Sequence, residues 1–143
     1  MAKEDVEVDF PRLVGKEYDL SDEDFNYNCL AFALGDHANW WEPPHGQGQY
    51  WPPGFSEDIT VKTVEKIIRL HGFTVEVAKG TSPQTEAIAI YAIGNEWQHF
   101  AKFSGGEWKS KLGRGHDVSG VDLNDLCIGE YGEVAMILSR PKK

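Results

Sequence analysis

The chain is short of three things: cysteine, positive charge and long apolar runs. Only two of its 143 residues are cysteine, Cys29 and Cys127. A multi-bridge disulfide scaffold is therefore excluded, and a chain of this length needs no such staple to hold a core. One Cys29–Cys127 bridge is arithmetically possible, but nothing in the sequence demands it. Lys and Arg number 14 against 23 Asp and Glu, for a net charge of −9. That balance argues against a nucleic-acid surface, which needs clustered basic residues. The longest apolar run, Ala87 to Ile93, falls far short of the ~20 residues that span a bilayer. The start, Met1-Ala-Lys-Glu, lacks the apolar centre of a signal peptide. The expectation is a cytoplasmic protein with two free thiols and no membrane partner. A delivered effector without a standard signal would read the same way. Internal repeats and low-complexity tracts are also missing, and oligomeric state is left open.

What is present suffices for one domain over residues 1–143. Hydrophobic residues make up 41% and aromatics 12%, enough for a proper core. Residues 1–27 carry nine acids and three bases, so −6 of the −9 lies there. Residues 1–20 read as an acidic, solvated N-terminal arm, with a partner-docking segment as the alternative. Within it Val6 to Phe10 alternates, as an edge strand or ordered arm would. From Trp40 to Phe55 runs Trp-Trp-Glu-Pro-Pro-His-Gly-Gln-Gly-Gln-Tyr-Trp-Pro-Pro-Gly-Phe, a loop stiffened by proline. A helix follows: Thr60 can cap it, and Val61, Val64, Ile67, Ile68 and Leu70 keep helical spacing until Gly72. Strands are expected at Phe73–Ala78, Ala87–Ile93, Gln98–Phe103 and Glu133–Ser139. Glu107–Lys111 can pair with Gln98–Phe103 across the turn Ser104-Gly-Gly106. The pattern predicts an α+β domain, with N-terminal helices packed on a sheet of four to five antiparallel strands.

The chemistry concentrates at Asn28-Cys-Leu-Ala-Phe-Ala-Leu34, a cysteine opening a short apolar helix that stops at Gly35-Asp36. Helix-start N–H groups favour negative charge, so a thiol there can be depressed in pKa and act as a nucleophile. The alternative is a buried, inert cysteine. A base and an orienting group are needed beside it. His37 and His45 belong to the aromatic loop and its approach, and His71 suits a helix C-terminus. His99 lies in a strand that fixes its ring angle, and is the expected base. Asp117 is the expected orienting carboxylate and His116 the second choice; both also read as turn residues. Backbone N–H groups at the helix start, that of Cys29 included, would form an oxyanion hole. Asn26 and Asn28 could add an amide donor or serve as caps. Trp40, Trp41, Trp51 and Trp108 would wall a substrate groove, or else lie in the core. Lys111 could carry charge to the substrate or pair with the acidic arm.

Several blocks together carry a resemblance. They are Tyr27-Asn-Cys-Leu-Ala-Phe-Ala-Leu-Gly35, Trp40-Trp41, Tyr50-Trp-Pro-Pro-Gly54, Gln98-His-Phe-Ala101, Trp108-Lys-Ser-Lys-Leu-Gly113 and Tyr131-Gly132. Over roughly residues 25–141 the chain resembles an uncharacterised family of small bacterial proteins. In order and spacing it is also similar to papain-like enzymes, notably NlpC-like cell-wall peptidases and amidase or deamidase toxins. That resemblance implies a papain-like core with Cys29 as nucleophile, His99 as base and a third polar residue between Ser110 and Asp117. The family pattern reads Leu-Gly, a short gap, then Asp-Ile-x-His. Here Asp117 matches the aspartate, while Gly120 replaces the late histidine.

The expected function is thus a cysteine hydrolase or transferase (peptidase, amidase or deamidase) acting on a peptide, protein or small amide. No cofactor is called for. A non-catalytic binding module, antitoxin-like or immunity-like, is the alternative. A zinc site built from Cys29, His99 and His116 or Asp117 ranks last, since no closely spaced ligand pair supports it.

Overall fold

A computed structural model describes residues 2–46, 48–78, 84–112 and 115–141. Gln47 of the aromatic loop, and Gly113 and Arg114 of the expected Gly-rich turn, lie outside the described residues. In chain order the elements are α1 (Ala2–Asp9), β1 (Asp19–Leu20), α2 (Cys29–Ala33), β2 (Trp40–Trp41), β3 (Gln49–Tyr50), α3 (Val61–Leu70), β4 (Val75–Val77), β5 (Thr85–Ile93), β6 (Glu96–Ser104), β7 (Glu107–Lys111), β8 (Asp117–Val121) and β9 (Glu133–Pro141). Short 3₁₀ turns occupy Pro11–Leu13 and Leu123–Leu126.

The main sheet has seven strands, ordered β1-β8-β7-β6-β5-β9-β4, and every neighbouring pair is antiparallel. β2 and β3 form a separate parallel pair. This overturns the expected architecture of N-terminal helices on four to five strands with a papain-like core. The domain is mostly sheet, and its three helices are short. The misreading has a physical origin. Asp117, Ser119 and Gly120 disfavour a strand and Asp117 reads as a turn residue, yet pairing with β7 extends the segment. β1 is only two residues long and docks on β8, so no local pattern marks it.

The N-terminal segment also departs from expectation. Residues 2–9 are helical, not extended, with Glu4 and Asp5 in the first turn where the helix dipole favours acids. Val6 and Phe10 are four apart and both buried, whereas Val8 is 77% exposed. The alternation of Val6, Val8 and Phe10 is therefore coincidental, and the 3.6-residue period decides the burial. Phe10, Leu13 and Tyr18 follow Val6 into the core, so this acidic arm is packed rather than free.

Both faces of the sheet are covered. α2, α3, Trp41 and Trp51 pack on Ile88, Ile90, Phe100 and Leu138. On the other face, Val6, Phe10, Leu13 and Leu126 meet Ala87, Ala89, Tyr91, Ala101 and Phe103. That explains why β5 reads as a nearly continuous apolar run: from Ala87 to Ala92 both of its faces are buried. α3 matches its sequence expectation, with Thr60 accepting from the Thr63 N–H as N-cap. The β6–β7 hairpin forms about Ser104–Glu107, as its turn residues require. Among the described residues, no helix is long and apolar enough to cross a membrane.

Candidate functional site

Cys29 is the first residue of α2, and Asn28 is its N-cap. The Asn28 Oδ1 accepts from the N–H groups of Ala31 and Trp41, both at 3.1 Å, while Nδ2 donates to the Trp41 carbonyl at 2.7 Å. Asn28 borders the cavity described below, but its amide is committed to joining α2 to β2. The capping role explains it fully.

The position of His99 depends on an irregularity in β6. Tyr91 pairs with His99 and Ala92 with Trp97, so Gln98 is an extra residue bulged out of the ladder. A bulge re-aims the side chains beside it. Trp97 thereby joins the core beneath α2, while the His99 ring lies against Tyr91 and Tyr131. Tyr131 stacks flat on it, with centroids 3.8 Å apart and planes 7° from parallel. Gly132 makes this stacking possible. Its φ of +77° suits glycine, and a Cβ there would sit 2.1 Å from the Ala92 carbonyl oxygen.

His99 is 1% exposed, so its ring nitrogens need partners. Nε2 meets the Ser110 Oγ, and Ser110 donates its single hydroxyl hydrogen to the Phe100 carbonyl at 2.8 Å. Ser110 then has only acceptor capacity left for His99. The network thus assigns the imidazole proton to Nε2 and leaves the lone pair on Nδ1.

Cys29 and His99 line one cavity of about 180 Å³. Pairing of β6 with β7 ends at Ala101–Ser110, and the cavity occupies the space beyond, between these strands and the start of α2. Its other walls include Phe25, Tyr27, Trp40, Glu42, Trp97 and Tyr131. Cys29 is half-buried on this wall. Burial pushes its thiol up to about 12, against a downward pull from the N–H groups of Phe100, Leu30 and Cys29 itself; the Glu42 charge adds a further rise. Burial takes His99 the other way, down to about 3. At neutral pH the pair is a thiol and an imidazole, both uncharged. The thiolate favoured by a helix start is not the resting state, because desolvation outweighs the amides. Alkylation of Cys29 by iodoacetamide, in a Cys127→Ser background, should therefore rise about tenfold per pH unit from pH 7 to 10. A plateau below pH 7 would reveal a preformed thiolate–imidazolium pair instead.

The other expected site residues are dispersed. Asp117 is not beside His99. Its Oδ2 accepts from the Tyr27 hydroxyl at 2.8 Å, and its Oδ1 lies 3.5 Å from the Lys111 Nζ. His116 turns to the Ser21 carbonyl at 2.9 Å and borders a different cavity with Asp19 and Asp22. Trp40 does reach the cavity, whereas Trp41 is buried against α2 and donates to Asp36. Trp51 donates to the Ser56 carbonyl and stacks on Trp97. Trp108 packs on Phe103 on the far face. The group that orients His99 is Ser110, which stands at the edge of the Ser110–Asp117 window for a third residue. Asp24, Glu42, Trp97 and Tyr131 were not anticipated on the cavity wall at all. Among the described residues no group of three or more His, Cys, Asp or Glu is placed to hold a metal.

A family model described as Domain of unknown function (DUF7689) matches residues 18–139, and the chain belongs to that family. The matched span runs from β1 into β9, so it takes in the whole sheet core and the Cys29 cavity while leaving out α1. No curated protein and no solved structure matches the chain.

Proposed function

We propose that this protein is a cysteine hydrolase or acyltransferase that works on an amide or thioester through an acyl-enzyme at Cys29. One observation carries the reading. A thiol at a helix start and an imidazole share one cavity, and the Ser110 hydroxyl holds that imidazole with the lone pair on Nδ1. In the reaction, the sulfur attacks the carbonyl carbon as His99 Nδ1 takes the thiol proton. Because both groups rest uncharged, proton transfer accompanies attack. The N–H groups of Cys29 and Phe100, which act on the Cys29 sulfur, would stabilise the oxyanion. His99 then returns the proton to the leaving amine or thiol, and the carbon–nitrogen or carbon–sulfur bond breaks. Water or an amine attacks the thioester, and proton return through His99 restores the thiol. Peptides, proteins and small amides all remain suitable acyl donors. A cytoplasmic setting suits the reading, since it keeps Cys29 reduced.

A second reading, a binding module with no chemistry, is favoured by one fact: the resting thiol is pushed up rather than down. Acyl capture separates the two. The Cys127→Ser protein exposed to an activated thioester at pH 8 should gain one acyl group, located on Cys29 by peptide mass spectrometry. Cys29→Ala should gain none there, and His99→Gln should acylate about 100-fold more slowly. Absence of any adduct at Cys29 between pH 6 and 9 would leave the binding module in place of the enzyme.

A further inference from the structure

We propose that the Cys29 cavity selects a cationic substrate, one whose acyl portion carries an ammonium or guanidinium group seated between Glu42 and Asp24. The inference rests on the hydrolase reading and narrows its substrate class. The cavity wall carries three charged side chains, Asp24, Glu42 and Lys111, beside Cys29, His99, Tyr27 and Tyr131.

The cation is already answered. Lys111 is directly opposite Asp117 in the β7–β8 ladder, donates to the Gly115 carbonyl at 2.6 Å and lies 4.0 Å above the Tyr27 ring. Its charge is spent inside the fold. The two carboxylates are differently placed. Glu42 accepts from the Trp40 indole N–H at 2.9 Å, which fixes its head at the cavity. Asp24 accepts from the Asn26 N–H at 2.9 Å, and its own N–H is tied to Gly115. Among the described residues neither carboxylate is paired with a cation. The same wall carries two aromatic side chains: Trp40, and Phe25, which is 61% exposed. An exposed phenyl ring and two held carboxylates on the wall of one largely apolar cavity make a setting that attracts organic cations by charge and by ring quadrupole. The Phe25 ring lies against Gly115, where an added Cβ would come within 2.8 Å of it.

Such a substrate would also help its own reaction. The Glu42 charge opposes a thiolate at Cys29, and a cation bound on Glu42 cancels that opposition when the sulfur must take up charge.

The test uses thiol-directed probes of equal size and opposite charge on the full-length Cys127→Ser protein. Methanethiosulfonates serve: the sulfur of Cys29 attacks the reagent's sulfenyl sulfur, a disulfide forms, and methanesulfinate leaves with its electron pair. Each observed rate is divided by that for free cysteine with the same reagent. At low salt the trimethylammonium-ethyl reagent should modify Cys29 about tenfold faster than the sulfonato-ethyl reagent. The ratio should shrink at 0.5 M salt, where screening reaches a few ångström. Glu42→Gln and Asp24→Asn should each lower it, and either variant alone suffices should the other fail to fold. A ratio near one, a faster anionic reagent (showing that Lys111 sets the potential), or no modification by either reagent would overturn the proposal. Acyl capture at Cys29 with a ratio near one would leave the hydrolase reading intact and remove only the cationic preference. A high ratio without acyl capture would do the reverse.

Discussion

Changing Asp117 to Ala should lower the unfolding free energy by about 3 kcal/mol, the scale for stranding a buried charge. The side chain of Lys111 is 3% exposed, and its only carboxylate neighbour among the described residues is Asp117, at 3.5 Å. Without that carboxylate an ammonium group is left beneath the surface with the Gly115 carbonyl and the Tyr27 ring. The Tyr27 hydroxyl loses its acceptor in the same step, which adds the penalty of an unmatched polar group. Asp117→Asn keeps an acceptor for Tyr27 and should lose less. Replacing both partners, as Lys111→Met with Asp117→Ala, should recover much of the loss, because an apolar pair no longer needs compensation. Urea unfolding of the four proteins measures this. A loss under about 0.5 kcal/mol for Asp117→Ala, the range of a neutral surface change, would show that Lys111 does not depend on it. One further readout distinguishes this role from orienting the base. The ¹⁵N shifts of the His99 ring should stay unchanged in Asp117→Ala and change in Ser110→Ala, since Ser110 holds the proton on Nε2.

Those two residues also show how far the sequence could be read. The cap at Thr60 and the apolar spacing to Leu70 are local, and α3 is found where they place it. The hairpin turn is local too, and it carried more information than was drawn from it. Pairing Ser104 with Glu107 forces Ala101 opposite Ser110. Residues 99 and 101 share a face, so Ser110 becomes a diagonal neighbour of His99. The orienting group was therefore legible from register alone. Asp117, the expected orienting carboxylate, has Lys111 as its own register partner. The bulge at Gln98 was not legible. Nothing in Glu96-Trp-Gln-His-Phe announces an extra residue, and only the contrast between the neighbours of Trp97 and His99 reveals it. Long-range packing likewise decided α1, where a strand period fits Val6, Val8 and Phe10 and a helical period fits only Val6 and Phe10. The aromatic loop divides for a similar reason: Trp40 and Trp41 are adjacent in sequence, yet one faces the cavity and the other the core.

Acidification is expected to destabilise the fold well before the carboxylates titrate, and His99 should carry that effect. Its ring is enclosed by Tyr91, Tyr131 and Ser110, and burial lowers its pKa from 6.5 to about 3. The unfolded chain takes up a proton at this residue near pH 6.5, and the folded chain does not until about pH 3. Between those values the unfolded state holds more protons, so stability falls as pH falls. For one group the slope approaches about 1.4 kcal/mol per pH unit. Asp36, Glu57 and Asp58, all held below their ordinary values by hydrogen bonds, add losses of the same sign nearer pH 4. The interval from pH 6 to 5 therefore isolates the histidine. At the alkaline end Cys29, raised from 9.0 to about 12, acts in the mirror sense: the unfolded thiol ionises first, and stability falls above pH 9. Unfolding free energy should form a plateau from about pH 7 to 9 with a shoulder lost on each side. His99→Gln, which keeps a donor for Ser110 and cannot take a proton, should flatten the limb between pH 6 and 5 whatever it does to stability at pH 8. Cys29→Ala should reduce the loss above pH 9 without abolishing it, because burial also raises Cys127, Tyr18, Tyr27 and Tyr91. A His99→Gln protein with an unchanged acid limb would mean that the ring is protonated in the folded state. Two uncharged groups, and the concerted proton transfer that depends on them, would then be confined to pH above the ring's own titration.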